Sequence, residues 1–154
     1  MYQHIMVPLD GSELAECVLP HARTIALGCS VVKVTLVRVV EPLHIRGGLE
    51  TRFPPEEKER LEKRSMDLAG EYLEKIVKSL KEAGVAAQPE VLHGHIVDKL
   101  INYTNTNEVG LIIISTHGRS GVSRWVWGSV TDRILRSACV PVTMIRAPGC
   151  IPGI

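Results

Sequence analysis

The strongest constraint on the fold of this chain is a repeated alternation between short β-rich apolar runs and longer segments with helical spacing. The runs that predict strands are 5–9, 31–40, 88–92, 111–114 and 140–145. Strands that alternate with helices in this way form a parallel sheet that is covered on its two faces. We therefore predict an α/β fold with a single domain: a doubly wound, Rossmann-like, five-stranded parallel sheet with helices on both faces.

Helical patterns fill the gaps between these runs. Apolar residues recur at helical spacing over 13–28, although Pro20 inside this stretch should kink or break the helix. A long helix is predicted over 56–83, a shorter one from Ile96 and a last one from about Ser129. The sequence thus places a helix between each pair of successive strands.

Two further features concern the periphery of the sheet. Pro141 cannot donate a ladder hydrogen bond, so the last strand should start there or lie at an edge of the sheet, which a second subunit would complete. The segment 41–55 contains glycines and prolines and has no periodicity. Its length is compatible with a lid over a site and equally with a flexible loop.

Length and composition argue against several classes of function. A chain of 154 residues, 45% hydrophobic and 23% charged, suits one globular core. Its formal net charge of +1 offers no broad surface for nucleic acid or for an anionic membrane. The first residues lack the charged start and apolar stretch of a signal peptide, and the longest apolar runs are strand-sized. We expect a cytoplasmic protein with no nucleic-acid partner and no membrane partner.

Cysteine and histidine spacing does not indicate a metal centre. The four cysteines stand far apart, with no C-x-x-C pair among them. His93, His95 and His117 have no carboxylate or cysteine at a convincing ligand spacing beside them. They are interpreted as strand-end and loop histidines, and no zinc site is predicted.

Two segments fall at the carboxyl ends of predicted strands, where open α/β sheets bind their ligands. The first is 8–12, after the first strand, and the second runs from 115–118 to 128–131, after the fourth. The second combines small residues at a strand end with backbone donors and hydroxyls at a helix start. Exposed N–H groups and the helix dipole at such a junction favour an anionic phosphate group.

The second segment resembles the G-x-x-G-x9-G-(S/T) signature of the ATP-binding universal stress proteins. Residues 115–118, nine intervening residues and then 128–129 fall at the spacing of that family. The resemblance extends to 7–12, which is similar to the family's opening strand, and to 140–142, which is similar to its final strand. One departure is Ser115, which stands where the signature has its first glycine and adds a Cβ and a hydroxyl near the expected nucleotide.

The resemblance implies a domain of the adenine nucleotide alpha hydrolase-like type over 1–147, followed by a short tail at 148–154. It also implies binding of ATP with Mg²⁺ or Mn²⁺ and a role as a nucleotide-dependent regulatory or stress-response protein. A homodimer formed through the last strand is implied as well.

Carried over to this chain, the resemblance further implies a set of site residues. Asp10 would contact the ribose or a phosphate-bound metal, the Val39 backbone would read the adenine edge, and Pro8 would wall the adenine pocket. The residues implied for the phosphate end of the site are Ser115, His117, Gly118, Gly128, Ser129, Val130 and Thr131.

Each of these residues also has a purely structural interpretation. Asp10 is of a type common in turns and helix caps, Ser129 and Thr131 could cap a helix, and two motif glycines could form turns. Their joint appearance at the family spacing is what favours a nucleotide site. Trp125 and Trp127, between the motif glycines, are explained equally by local packing and by a partner contact.

Enzymatic activity is only weakly indicated. The chain contains neither a G-x-S-x-G nucleophile elbow nor a G-x4-G-K-(S/T) phosphate loop, so no catalytic residue is assigned. Asp10 and His117 could orient a water for slow ATP hydrolysis. Two alternatives to an ATP-binding regulator stay open: a slow ATPase, and a nucleotide-free dimeric scaffold of the same family, which Ser115 favours.

Overall fold

The computed structural model describes residues 2–43, 54–116 and 129–146. Within these ranges the chain forms one sheet, whose strands are β1 (His4–Pro8), β2 (Lys33–Val40), β3 (Ala87–His93), β4 (Leu111–Ser115) and β5 (Val142–Ile145). Every strand pairing is parallel, and the strand order is β3-β2-β1-β4-β5. The predicted five-stranded parallel sheet of a single α/β domain is confirmed.

Helices connect the strands on both faces of this sheet. In the described part of the chain they are α1 (Glu13–Glu16), α2 (Leu19–Gly28), α3 (Pro55–Glu82), α4 (Ile96–Thr106) and α5 (Ser129–Ser137). None of these helices is both long enough and apolar enough to span a membrane.

The alternation of side chains along β1 divides the core into two layers. Ile5 and Val7 pack with Leu73 of α3, in a layer to which α1 and α2 also contribute. Met6 points to the opposite face, where it packs with Leu100 of α4 and with a buried residue of α5. Because β1 and β4 are buried on both faces, their sequences are almost continuously apolar.

The predicted break at Pro20 is confirmed. The proline lies in the first turn of α2, where its missing N–H leaves no helical hydrogen bond unmade. The predicted helix over 13–28 is therefore two helices, α1 and α2. A proline also opens the long helix, because Pro55 is the first residue of α3.

Several boundaries differ from the predictions by one or two residues. β2 begins at Lys33 instead of residue 31, and β5 begins at Val142 instead of residue 140. Pro141 precedes β5, and its carbonyl accepts a hydrogen bond from the Ile112 N–H at 3.0 Å. The predicted 41–55 loop loses its last residue, Pro55, to α3, and its residues 44–53 lie outside the described part. Among the described strands β5 lies at an edge of the sheet, as Pro141 predicted.

A buried histidine joins elements at the amino end of the sheet. His4 is 4% exposed, and its Nδ1–H donates to the Asn107 carbonyl at 2.8 Å. A carbonyl can only accept, so Nδ1 carries a proton, and in the neutral ring Nε2 is then unprotonated and accepts from the Thr35 hydroxyl at 2.8 Å. Burial lowers the pKa of His4 below its usual value, and nearby Lys33 acts in the same direction, so the neutral ring is favoured.

Candidate functional site

The two segments with predicted binding residues meet at one edge of the sheet. β1 pairs with β4 on one side, in the register Met6 to Ile112, and with β2 on the other, in the register Pro8 to Val37. The carboxyl ends of these three parallel strands therefore lie next to one another. Predicted site residues that are distant in sequence come from neighbouring strand ends.

The turn after β1 is shaped by Asp10. Its Oδ1 accepts hydrogen bonds from the Ser12 N–H at 2.9 Å and from the Ser12 hydroxyl at 2.6 Å. The Ser12 Oγ in turn accepts from the Ala15 N–H at 3.2 Å and caps α1. The structural interpretation of Asp10 as a turn residue is therefore correct, while the capping role belongs to Ser12.

Gly11, in the middle of this turn, has a conformation that favours glycine and lies close to Arg38. Its φ is +85°, a region that favours glycine. A Cβ added at Gly11 would lie only 2.9 Å from Nη1 of Arg38. The flat guanidinium of Arg38, which comes from β2, therefore lies directly against the backbone of the turn.

A tyrosine of α3 also contacts that guanidinium. Arg38 Cζ lies 5.2 Å from the centroid of the Tyr72 ring, a cation–π distance. The Tyr72 hydroxyl donates to Oε1 of Glu16 in α1 at 2.9 Å. Burial and this hydrogen bond raise the pKa of Tyr72, so the phenol stays protonated and remains a donor. We refer to Gly11, Glu16, Arg38 and Tyr72 as the turn cluster.

The turn cluster was not predicted from the sequence. The available signal was a charged residue, Arg38, close to the end of an otherwise mostly apolar strand. Its contacts with Gly11 and Tyr72 join positions that are far apart in the chain, so no local pattern reveals them.

The end of β4 is joined to the first turn of α5. Ser115 is the last residue of β4 and is 6% exposed. The Thr131 hydroxyl, in a residue 4% exposed, donates to the Ser115 carbonyl at 3.0 Å. This bond fixes the amino end of α5 beside the carboxyl end of β4, which brings the positive end of the helix dipole to the same edge.

The backbone at Ser115 does not require glycine. Among the described residues other than glycine, a positive φ occurs at Ser30 and Glu108 alone. Ser115 thus adopts a conformation that any residue tolerates, and its serine side chain causes no backbone strain.

The other predicted site residues are placed as follows. Pro8 ends β1, and Val39 lies next to the end of β2, packed against the layer that contains α4 and α5. Val130 is half-buried in that layer, and Ser129 begins α5. Three predicted residues, His117, Gly118 and Gly128, lie outside the described part, as do Trp125 and Trp127.

The strand-end and loop positions predicted for His93 and His95 are confirmed. His93 ends β3, with its Nε2 3.6 Å from Oε2 of Glu62 in α3. Glu62 also accepts the Leu43 N–H at 3.1 Å, so it links α3 to the segment after β2. His95 is the residue before α4. No group of three His, Cys, Asp or Glu side chains suited to a metal ion occurs among the residues that the structure describes.

Comparisons with known proteins agree with this architecture. A model of the universal stress protein family matches residues 1–146. Universal stress protein MJ0531 of Methanocaldococcus jannaschii is 28% identical over 149 residues, which cover 96% of this chain and 84% of the relative. The chain belongs to the universal stress protein family.

Two solved structures show the same fold. The structure of MJ0577 from Methanocaldococcus jannaschii has a TM-score of 0.82 at 24% identity, covering 97% of this chain and 99% of that one. A universal stress protein family protein from Arabidopsis thaliana, At3g01520 with AMP bound, has a TM-score of 0.62 at 17% identity. That likeness covers 96% of this chain and 93% of the plant protein.

Proposed function

We propose that this chain binds ATP at the carboxyl edge of its sheet and acts as a nucleotide-dependent regulatory protein in a stress response. The observation that carries the proposal is the junction of Thr131 with Ser115, which brings the start of α5 to the end of β4. The Asp10 turn stands at the end of the neighbouring strand β1. A helix N-terminus favours phosphate groups, and a carboxylate at the same edge can bind the metal that accompanies them.

The nucleotide would lie across the three adjacent strand ends. Val39 and Pro8 would contact the adenine, and Asp10 would contact the ribose or a phosphate-bound metal. The start of α5 would contact the phosphates, where N–H groups and the helix dipole favour negative charge. Of the residues implied for the phosphate end of the site, Ser115, Ser129, Val130 and Thr131 lie in the described part. The AMP bound to the Arabidopsis family member supports a nucleotide ligand in this fold.

Mg²⁺ or Mn²⁺ would accompany the triphosphate. Mg²⁺ is usually held by one or two carboxylates together with substrate phosphates, and not by a cage made of protein alone. The described part of the chain offers Asp10 at this edge and no cluster of three potential ligands. This donor set fits a metal that arrives with ATP, and Asp10 would be its protein ligand.

The proposed regulatory role depends on a change in the protein when ATP binds. ATP would change the state of the protein only to the extent that it binds one conformation more tightly than another. We further propose that the protein acts in the cytoplasm as a homodimer, with the edge of β5 as the contact between subunits. Size-exclusion chromatography with light scattering tests the dimer.

Calorimetric titration of nucleotide-stripped protein with Mg-ATP tests the binding proposal. We expect a micromolar Kd, corresponding to a binding free energy of about −8 kcal/mol. Gly118→Val and Asp10→Ala should weaken binding at least about tenfold, because each alters a group proposed to contact the nucleotide. Circular dichroism is the control that each variant is folded.

Arg23→Met, on the exposed surface of α2, serves as the matched control and should bind like the native protein. If stripped native protein shows neither binding heat nor a ligand-induced rise in Tm, the ATP proposal is wrong. The nucleotide-free dimeric scaffold then becomes the function to test.

A further inference from the structure

The turn cluster contains a cation that the proposed nucleotide contacts do not use. Arg38 lies two residues after Leu36 in β2, and Leu36 belongs to the core layer that includes Leu73 of α3. Successive residues of a strand alternate between faces, so Arg38 is on the same face as Leu36. It reaches the end of the sheet beneath the β1–α1 turn.

The guanidinium has two close neighbours. Its Cζ lies 5.2 Å from the centroid of the Tyr72 ring. The Gly11 backbone lies so close that a Cβ there would be 3.0 Å from Cζ and 3.1 Å from Nη2. A planar guanidinium is suited to contact with an aromatic ring, and the tetrahedral ammonium of lysine does not reproduce that contact.

The ring that supports Arg38 is itself held in place. The Tyr72 hydroxyl bonds to Glu16 in α1, the helix that directly follows the turn. Tyr72 also lies near enough to Asp10 and Arg38 for both of their charges to act on its ionisation. The turn is therefore supported by β2 through Arg38, and α1 is joined to α3 through Tyr72.

We propose that Arg38, in cation–π contact with Tyr72, is a positioning residue that holds the Asp10–Ser12 turn in the geometry needed to bind a nucleotide. This inference rests on the proposed function for its ligand. Arg38 acts through the turn, by supporting Gly11, and not by contact with the nucleotide. A turn without this support would sample other conformations, and ATP binding would have to restrict them again.

Amide hydrogen exchange in the ligand-free protein tests whether Arg38 holds the turn. The Ser12 N–H bonds to Asp10 and the Ala15 N–H bonds to Ser12, so their exchange reports opening of the turn. In Arg38→Met, which keeps the aliphatic stem, both amides should exchange about tenfold faster while amides of β4 stay unchanged.

Three further variants isolate the contact responsible. Arg38→Lys keeps the charge without the planar group, so it should accelerate exchange of the Ser12 and Ala15 amides as much as Arg38→Met does. Tyr72→Phe keeps the ring and loses the hydroxyl, so the exchange rates of the Ser12 and Ala15 amides should rise less than in Arg38→Met. Arg23→Met, an exposed substitution in α2, should leave the Ser12 and Ala15 amides unchanged. Unchanged exchange in Arg38→Met, or the same change in Arg23→Met, would overturn the proposal.

Calorimetric titration with Mg-ATP tests whether support of the turn by Arg38 strengthens nucleotide binding. Arg38→Met should weaken binding about three- to tenfold with little change in the Tm of the ligand-free protein. Faster exchange with an unchanged Kd would disprove the nucleotide-positioning role. Native protein that binds no nucleotide would contradict the proposed function, and exchange would then still decide whether Arg38 holds the turn.

Discussion

The Thr131 hydroxyl donates a hydrogen bond to the Ser115 carbonyl, 16 positions earlier in the chain, over 3.0 Å. Both residues are buried, so this bond satisfies a carbonyl that has little access to water. It fixes where α5 begins relative to the end of β4. The direction in which the helix N-terminus points, and hence the proposed phosphate position, depends on it.

Thr131→Val should therefore destabilise the protein. The substitution keeps the shape of the side chain and removes the donor, so we expect a loss of about 1–3 kcal/mol in the free energy of unfolding, measured by urea denaturation. Thr131→Ser retains the hydroxyl and is the matched control. A valine variant as stable as the native protein would show that the bond contributes nothing.

Ser115→Gly restores the glycine of the family signature. Because Ser115 already has an ordinary backbone conformation, glycine should only loosen the strand end and cost about 0.5–1 kcal/mol in stability. The Kd for Mg-ATP, measured by calorimetry, should stay within about twofold of the native value. Tightening of about tenfold or more would mean that the serine side chain obstructs the nucleotide.

Gly11→Ala should be among the most damaging single-methyl additions. Alanine would have to adopt a φ of +85° and approach Arg38 Nη1 to 2.9 Å. We expect a loss of about 1–3 kcal/mol in urea denaturation. Gly70→Ala is the control, since it lies inside α3 with open space around it. Gly70→Ala should stabilise the helix by about 0.5–1 kcal/mol. Equal changes in the free energy of unfolding for Gly11→Ala and Gly70→Ala would contradict a special role for Gly11.

Stability should decrease as the solution is acidified because of His4. Burial lowers the pKa of His4 in the folded protein, so the unfolded chain takes up the proton first. The contribution of neutral His4 to the free energy of unfolding is complete above the usual histidine pKa of about 6.5. It is lost as the pH falls from there toward the lowered pKa of His4 in the folded protein. Lys33, the neighbouring cation, further disfavours a charged ring.

Urea denaturation at pH 8 and pH 5 measures this effect. His4→Gln removes the titrating group, so its free energy of unfolding should change less between the two pH values than that of the native protein. The exposed histidines are common to both proteins and cancel in the comparison. An identical pH dependence in the two proteins would rule out His4 as the cause.

Much of the fold could be predicted because the signals are local. Runs such as 111–114 and the periodicity of α3 lie within short windows, and Pro20 marks a helix break by its own chemistry. Boundaries were less accurate: the prediction started β2 two residues before Lys33, because β-branched residues extend past the first ladder pair.

The site was predicted in part for the same reason. The segments with Asp10 and Ser115 follow predicted strands, which placed them at one edge, since parallel strands align their carboxyl ends. The Arg38–Tyr72 and His4–Thr35 contacts were not predicted, because each depends on how distant elements pack. The sequence also could not show that the Thr131 hydroxyl bonds to Ser115, a contact that only the packed helix creates.

The most direct test of the central claim is a crystal structure of the protein with Mg-ATP bound. We predict adenine beside Val39 and Pro8, ribose or metal at Asp10, and phosphates at the start of α5. Nucleotide density at another surface, or none at saturating Mg-ATP, would contradict a nucleotide site at the carboxyl edge of the sheet.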